Sequence, residues 1–287
     1  MGIIWELDFY SRPILEEDGK KRWEVLICES PQSVDDSLES LFRYAEFCPS
    51  TKVNSLFLKD ALTNAIAQAG VTPQKIRFFR RQMNNMITKA CEDMGIPASP
   101  SRRTYTLSHW LEERSLKVYP QEPGYDPTIG TSTSVQYQPL TAIALPDAIR
   151  GDKGDRWAFV TLEAKDFQEM REWDIAFGEA FPFSLTEVTP ETKIPGVLIF
   201  SQRALPLAGW MSGLEMVGLQ FEEGVLPRLR LETGFNDNWI LAEITPKLLA
   251  EGKGFQQGKE EAHDVHFLGI QTSPESESFA GFWLLKN

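Results

Sequence analysis

Near the N-terminus apolar and polar side chains alternate with period two, Trp5, Leu7 and Phe9 against Glu6 and Asp8, which predicts a strand over residues 3–10. A turn signal with Asp18-Gly19 at its tip follows, and Trp23, Val25 and Ile27 mark a returning strand over 22–28, hence a β-hairpin. A third strand is predicted over 41–47. Residues 54–68 have helical spacing through Leu56, Phe57, Ala61 and Ala65, with Asn54 as N-cap and Gly70 as terminator. The next segment supports two readings. Thr72 and Pro73 can start one long helix whose apolar stripe is Ile76, Phe79, Met83, Met86, Ile87 and Ala90. Alternatively 75–80 is a short strand and a helix runs over 81–94, ended by Gly95. Residues 103–107 read as a further strand, and Ser108 as the cap of a short helix over 109–114. With the strand reading, the order is β-β-β-α-β-α-β-α, that of an RNase H-like α/β domain.

Residues 119–139 are rich in Pro, Gly, Ser and Thr and read as a linker. The pattern thus predicts an N-terminal RNase H-like domain over 1–120, a connection over 121–139 and a mixed α+β domain over 140–287. In that second part, strands are expected over 157–162, 197–201, 217–222, 229–233, 239–244, 265–271 and 279–285. Helical segments are expected over 166–173, 207–214 and 247–262. Positions 217–287 follow the β-β-β-α-β order of the first domain, without residue-level repetition, so a related topology is one reading of them.

Length and composition support this division. The 287 residues favour two domains, and 42% hydrophobic with 24% charged residues is ordinary for a folded protein. No apolar run approaches the roughly 18–20 residues of a membrane span, and the chain enters strand-like sequence at once, with no signal or transit peptide pattern. Cys28, Cys48 and Cys91 are dispersed, and with His109, His263 and His266 they give no zinc-ligand spacing. A reduced, intracellular protein without metal is expected. No Gly-rich phosphate loop appears, and no cofactor is expected.

Charge changes the picture locally. The net charge is −12, but residues 1–150 carry 17 basic and 19 acidic side chains, and residues 151–287 carry 12 and 22. Against that background, Lys75-Ile-Arg-Phe-Phe-Arg-Arg81 interleaves four cations with two aromatics, and Lys89, Arg102 and Arg103 follow. Single-stranded nucleic acid needs such a mixture, with cations for phosphates and π faces for unstacked bases. The alternative is an amphipathic segment with core aromatics and solvated cations. On the binding reading Lys75, Arg77, Arg80, Arg81, Lys89, Arg102 and Arg103 hold phosphates, and Phe78 or Phe79 stacks on a base.

Three further groups of residues bear on function. A metal-dependent nuclease of RNase H type would use Asp8 on the first strand and Asp60 on the first helix, but the fourth strand then supplies cations where a carboxylate is needed. Asp147, Glu163 and Lys165 match the degenerate spacing of a PD-(D/E)xK nuclease. Finally, Trp283-Leu284-Leu285 ends the chain on a dense apolar group, either a last core strand or an exposed edge for RNA or a protein.

Several longer signatures resemble the Tab-two family of RNA-binding translation factors of cyanobacteria and plastids. They include Trp5-Glu-Leu-Asp-Phe-Tyr-Ser-Arg-Pro-Ile14, Lys75-Ile-Arg-Phe-Phe-Arg80, Ile87-Thr-Lys-Ala-Cys91, His266-Phe-Leu-Gly-Ile-Gln271 and Gly281-Phe-Trp-Leu-Leu285. The resemblance implies a non-enzymatic factor for photosystem biogenesis. Such a factor binds the A/U-rich leader of a reaction-centre messenger RNA, promotes its translation, and can meet translation or assembly proteins. Beginning at the family core, the chain fits a cyanobacterial cytoplasmic member. The resemblance also raises the interaction reading of Trp283, Leu284 and Leu285, and it carries over no catalytic residues.

Overall fold

The computed structural model describes residues 2–129, 141–151 and 155–287. They fall into two compact units, one within Met1–Pro31 and Ser37–Tyr137, the other within Gln32–Asp36 and Gln138–Asn287.

In the first unit, β1 (Ile4–Leu15) and β2 (Lys21–Glu29) form the predicted hairpin, with Gly19 at φ 77° in its turn. The third strand, β3 (Arg43–Cys48), pairs antiparallel with β2. Helix α1 (Ser55–Ala69) starts where Asn54 accepts a hydrogen bond from the Phe57 amide at 2.9 Å, and it ends at Gly70 in the left-handed region. Strand β4 (Lys75–Phe78) then runs parallel to β1, α2 (Asn84–Glu92) follows a 3-10 turn, β5 (Ala98–Pro100) is parallel to β4, and α3 (Tyr105–Lys117) closes the unit. The sheet order β3-β2-β1-β4-β5 completes the RNase H-like arrangement.

The long-helix reading of 72–90 therefore fails. Ile76 and Phe78 are buried beside β1, and the ladder they enter outweighs the helical spacing. The strand expected over 103–107 is also replaced: β5 is the preceding Ala98–Pro100, and α3 already begins at Tyr105. Thr104 makes no side-chain cap there. The cap comes instead from Glu6 on β1, whose carboxylate accepts from the Leu107 amide at 2.7 Å.

Alternation along β1 gives the sheet two unlike faces. Trp5 sits opposite Ile76 and Glu6 opposite Arg77. On one face Trp5, Leu7 and Phe9 are fully buried, and α1 covers them, with Phe57 stacked on Phe9 at 6.1 Å. The other face carries Glu6, Asp8 and Arg12, all buried, and packs Leu26 and Cys28 against Leu107, Trp110 and Leu111 of α3. The first part of the expected linker belongs to this unit: Tyr119 is fully buried, Tyr125 bridges to Ile14, and the Leu15 amide donates to the Gly124 carbonyl at 2.7 Å. Residues 130–139 of that linker lie outside the described residues.

The second unit contains β6 (Ile143–Ala144), β7 (Arg156–Glu163), β8 (Ile175–Glu179), β9 (Lys193–Phe200), α4 (Ala204–Ser212), β10 (Met216–Glu222), β11 (Arg228–Thr233), β12 (Asp237–Glu243), α5 (Leu249–Glu261), β13 (Val265–Gln271) and β14 (Phe279–Lys286). These strands form two sheets, β10-β11-β12-β6 and β7-β9-β13-β14-β8. The repeated β-β-β-α-β topology read over 217–287 is thus not realised as one sheet, because β13 and β14 join β9 rather than β10. Val197, Leu207, Leu219, Leu231, Leu268 and Leu285 build one core. A second apolar group, Phe167, Phe267 and Phe282, interlocks around rings stacked at 5.2 Å. No helix among the described residues is long and apolar enough to cross a membrane.

Candidate nucleic-acid interface

The parallel strands β1, β4 and β5 of the first unit point their carboxyl ends to the same edge of the sheet, the usual place for a ligand in an open α/β sheet. Phe78 pairs with Pro100, and the Ser101 amide donates to the Phe78 carbonyl at 2.8 Å. The two chains consequently leave the sheet side by side, one carrying Phe79, Arg80 and Arg81, the other Arg102 and Arg103. Beyond them stands the hairpin. β4 pairs only with Ile4, Trp5 and Glu6, so β1 continues past the edge for about eight residues, roughly 25 Å at strand rise.

The seven candidate cations have different fates. Arg80 is 3% exposed; its Nε lies 2.5 Å from Asp8 Oδ1, and its guanidinium lies 3.9 Å from the Tyr10 ring centroid and 4.8 Å from that of Phe79. Arg77 is buried on the α3 face and donates to Ser30 Oγ at 3.4 Å. Arg103 is buried beside Tyr105, and its amide donates to Ser101 Oγ at 3.0 Å. Phe78 is fully buried on the opposite, α1 face. These four side chains are thus enclosed by the protein, and Arg80 has in Asp8 the buried counter-charge that taking a guanidinium out of water requires.

Arg81 is exposed, and Arg102 and Phe79 are half-buried, all at the carboxyl edge. Lys75 opens β4 at the other end of the strand. Lys89 lies in the last turn of α2, exposed and 2.5 Å from Asp93. A helix linking two parallel strands must run back against them, so the five residue steps from Asn84 to Lys89 carry that side chain roughly 8 Å away from the edge. The structure thus sets Phe79 and Arg81 on a segment adjoining that of Arg102 at one edge of the sheet, and Lys75 and Lys89 away from it.

Beneath this edge lies a chain of buried charges that sequence reasoning did not find. Asp8 also meets Arg12 Nη1 at 2.9 Å; Arg12 Nε donates to Glu24 at 2.9 Å; and Tyr119 donates its hydroxyl to the same Glu24 oxygen at 2.7 Å. Arg114 of α3 pairs with the second Glu24 oxygen. The side chains of Asp8, Arg12 and Glu24 have no exposed surface. Burial alone would lower the pKa of the Arg12 guanidinium, but Asp8, Tyr119 and Glu24 outweigh it and hold that pKa above its ordinary value. Burial likewise drives the Tyr119 phenol well above its usual value, so it stays a donor. The only sequence signal was the charged half of an alternating strand, which reads as solvent-facing.

The structure does not bring Asp8 and Asp60 together. Asp8 is enclosed by two guanidiniums on the α3 face, whereas Asp60 is exposed on α1, which packs on the other face. Glu163 pairs with Lys165 and forms a reciprocal capping box with Asp166. Among the described residues, no three His, Cys, Asp or Glu side chains form a group able to hold a metal ion.

In the second unit, the exposed-edge reading of the C-terminal triplet is overturned. Trp283 is 3% exposed, and Leu284 and Leu285 are fully buried, because β14 is an interior strand between β13 and β8. His266 is also buried. Its Nε2 accepts from the Leu219 amide at 2.7 Å and its Nδ1 lies 2.8 Å from the Asp264 carbonyl, which sets a neutral ring protonated on Nδ1. Burial, with Lys259 nearby, holds its pKa well below 6.5.

Comparison with known proteins bears on both units. A family model described as RNA-binding protein Tab2/Atab2 N terminal matches residues 4–114, and one described as RNA-binding protein Tab2/Atab2, C-terminal domain matches residues 132–286. A chloroplastic TAB2 homolog of Zea mays is 37% identical over 289 residues, covering 98% of this chain and 70% of that protein. The chloroplastic TAB2 homolog of Arabidopsis thaliana is 36% identical over 293 residues, covering 98% and 74%. Matched in both parts and related at this level along nearly all its length, the chain belongs to the Tab2/Atab2 family.

Proposed function

We propose that this protein binds single-stranded RNA at the carboxyl edge of its first sheet, without catalysing a reaction on it. The observation that carries the reading is the juxtaposition of Phe79 and Arg81 with Arg102, at the paired ends of β4 and β5. These side chains offer cations for phosphates beside an aromatic ring, on a frame fixed by buried ion pairs. Lys75 and Lys89, at the far end of the strand and helix, would add phosphate contacts for a longer strand. Arg77, Arg80, Arg103 and Phe78 shape the surface from beneath. Family membership supports RNA as the ligand. The finer reading is an A/U-rich leader of a photosystem reaction-centre message whose translation the protein promotes, together with translation or assembly proteins. It places the protein where such messages are translated, in the cyanobacterial cytoplasm or, as the names of the relatives indicate for them, the chloroplast.

The test is binding of A/U-rich single strands by the full chain, with Arg81→Glu and Arg102→Glu combined in a variant that retains its circular dichroism. Affinity should fall at least tenfold. Neutralising both cations instead should reduce the salt slope by about 0.7 per lost phosphate contact. Unchanged affinity and slope would remove this edge as the interface.

A further inference from the structure

The position of Arg80 points beyond phosphate binding. A guanidinium is a planar cation that lies well against aromatic faces. Arg80 lies near Tyr10 of β1 on one side, at 3.9 Å from its centroid, and near Phe79 at 4.8 Å. Its Nε and Nη2 hold the two oxygens of Asp8 at 2.5 and 3.3 Å. Asp8 is fixed in turn by Arg12, and Arg12 by Glu24. The cation therefore cannot swing out to a phosphate without depriving a buried carboxylate of the guanidinium that hydrogen-bonds both its oxygens. Its role is to fix the two rings.

Both rings are only half-buried, although Arg80 between them is almost fully enclosed. Tyr10 stands on the part of β1 that β4 no longer covers, where the hairpin rises past the sheet edge, and Trp23 of β2 approaches it at 5.6 Å with the planes at 61°. Tyr10 thus borders the same corner as Phe79 and Arg81 while belonging to a different strand. A half-buried ring braced by a pinned guanidinium has lost most of its conformational freedom before any ligand arrives, which is what a stacking platform requires.

We infer that Tyr10 and Phe79, braced by Arg80 and Asp8, form a platform for unpaired nucleobases and are the elements that select single-stranded over duplex RNA. The inference rests on the RNA reading above and adds to it the residues that contact bases. Stacking needs a π face and no hydroxyl, and within a duplex the faces of the bases are already covered by neighbouring base pairs. Phosphate contacts through Arg81 and Arg102 serve both kinds of RNA.

The experiment measures affinity of the full chain for an A/U-rich single strand and for a duplex of the same sequence. Proteins compared are the wild type, Tyr10→Phe, Tyr10→Leu and Phe79→Leu, each with its thermal midpoint. Base stacking of this kind is worth about 1–3 kcal/mol per base, which converts to roughly a five- to 150-fold loss. Tyr10→Leu and Phe79→Leu should lose that much on the single strand and little on the duplex, whereas Tyr10→Phe should bind like the wild type. Equal loss on both RNAs, or a single-strand affinity unmoved by Tyr10→Leu, overturns the platform while leaving the RNA reading in place. Failure of the wild type to bind any RNA removes both. Tyr10→Phe separates a folding defect from lost stacking, since it keeps the ring in its place: weak binding by that variant with an intact midpoint would also count against the proposal.

Discussion

Replacing Glu24 by Gln probes the buried charge chain at its most connected point. Three donors converge on this carboxylate: Arg12 Nε at 2.9 Å, the Tyr119 hydroxyl at 2.7 Å, and the Arg114 guanidinium. Gln keeps the volume but offers one oxygen, turns an NH2 group toward donors, and removes the charge that balances two guanidiniums. Deleting one partner of a buried ion pair costs about 3–5 kcal/mol, because the survivor remains desolvated. For a unit of this size, each kcal/mol moves the midpoint by roughly 3–5 °C, so a downward shift on the order of 10–20 °C follows. Scanning calorimetry of the full chain reads this as displacement of one unit's transition. The matched control is Lys117→Ala, which breaks an ion pair to Glu113 whose partners are 71% and 35% exposed and should move the transition by no more than a couple of degrees. A Glu24→Gln transition no lower than that of the control would show that the buried chain does not hold the sheet to α3.

Two other outcomes test separate parts of the molecule. His266 is held neutral with its pKa well below 6.5; the unfolded chain therefore binds a proton below that value and the folded chain does not, so stability falls as pH drops from 7 toward 5, by about 1.4 kcal/mol per pH unit below 6.5. Urea midpoints at several pH values should show this slope in the wild type and lose it in His266→Gln. Gly70 terminates α1 at φ 69° with open space where a Cβ would stand. Gly70→Ala should therefore cost about 1 kcal/mol from backbone conformation alone and Gly70→Asn less, and equal denaturation midpoints for Gly70 and Ala would refute that.

Elements specified locally were legible in the sequence, and elements specified at a distance were not. The hairpin needs only alternation and Asp18-Gly19, and α1 needs only Asn54, its apolar spacing and Gly70, all within a few residues of where they act. The start of α3 was misplaced because its cap is Glu6, 101 residues from the Leu107 amide it holds. Arg80 looked like a phosphate ligand because the partner that buries it, Asp8, lies 72 residues away. Arg81, the next residue in the chain, carries the same side chain but stands in solvent, and composition cannot separate the two. Trp283 posed the converse problem: a terminal aromatic strand reads equally as core or as exposed edge until β8 is known to flank β14, and β8 itself gave too weak a pattern to be predicted.

On the proposed function, the surroundings of Asp8 give an RNase H-like scaffold a first-strand carboxylate that is already paired. Asp8 occupies the first-strand position from which a metal-dependent relative presents a carboxylate, yet two guanidiniums already neutralise it, at 2.9 and 2.5 Å. A divalent cation brought to that carboxylate would meet both positive charges at close range, a repulsion on the order of several kcal/mol even with strong protein screening. Arg80 hydrogen-bonds both oxygens of the carboxylate, and that pairing holds its guanidinium beside Tyr10 and Phe79. The pairing of Asp8 with two arginines thus has two consequences. It opposes a metal ion at this position, and it holds Arg80 in place against the two rings. Asp8→Asn would weaken both arginine contacts without restoring a metal ligand set, since Asp60 lies on α1 against the other face. Substitution at Asp8 is therefore expected to loosen the Arg80 brace, and with it the grip on unpaired bases, rather than to uncover cleavage of RNA in the presence of Mg²⁺.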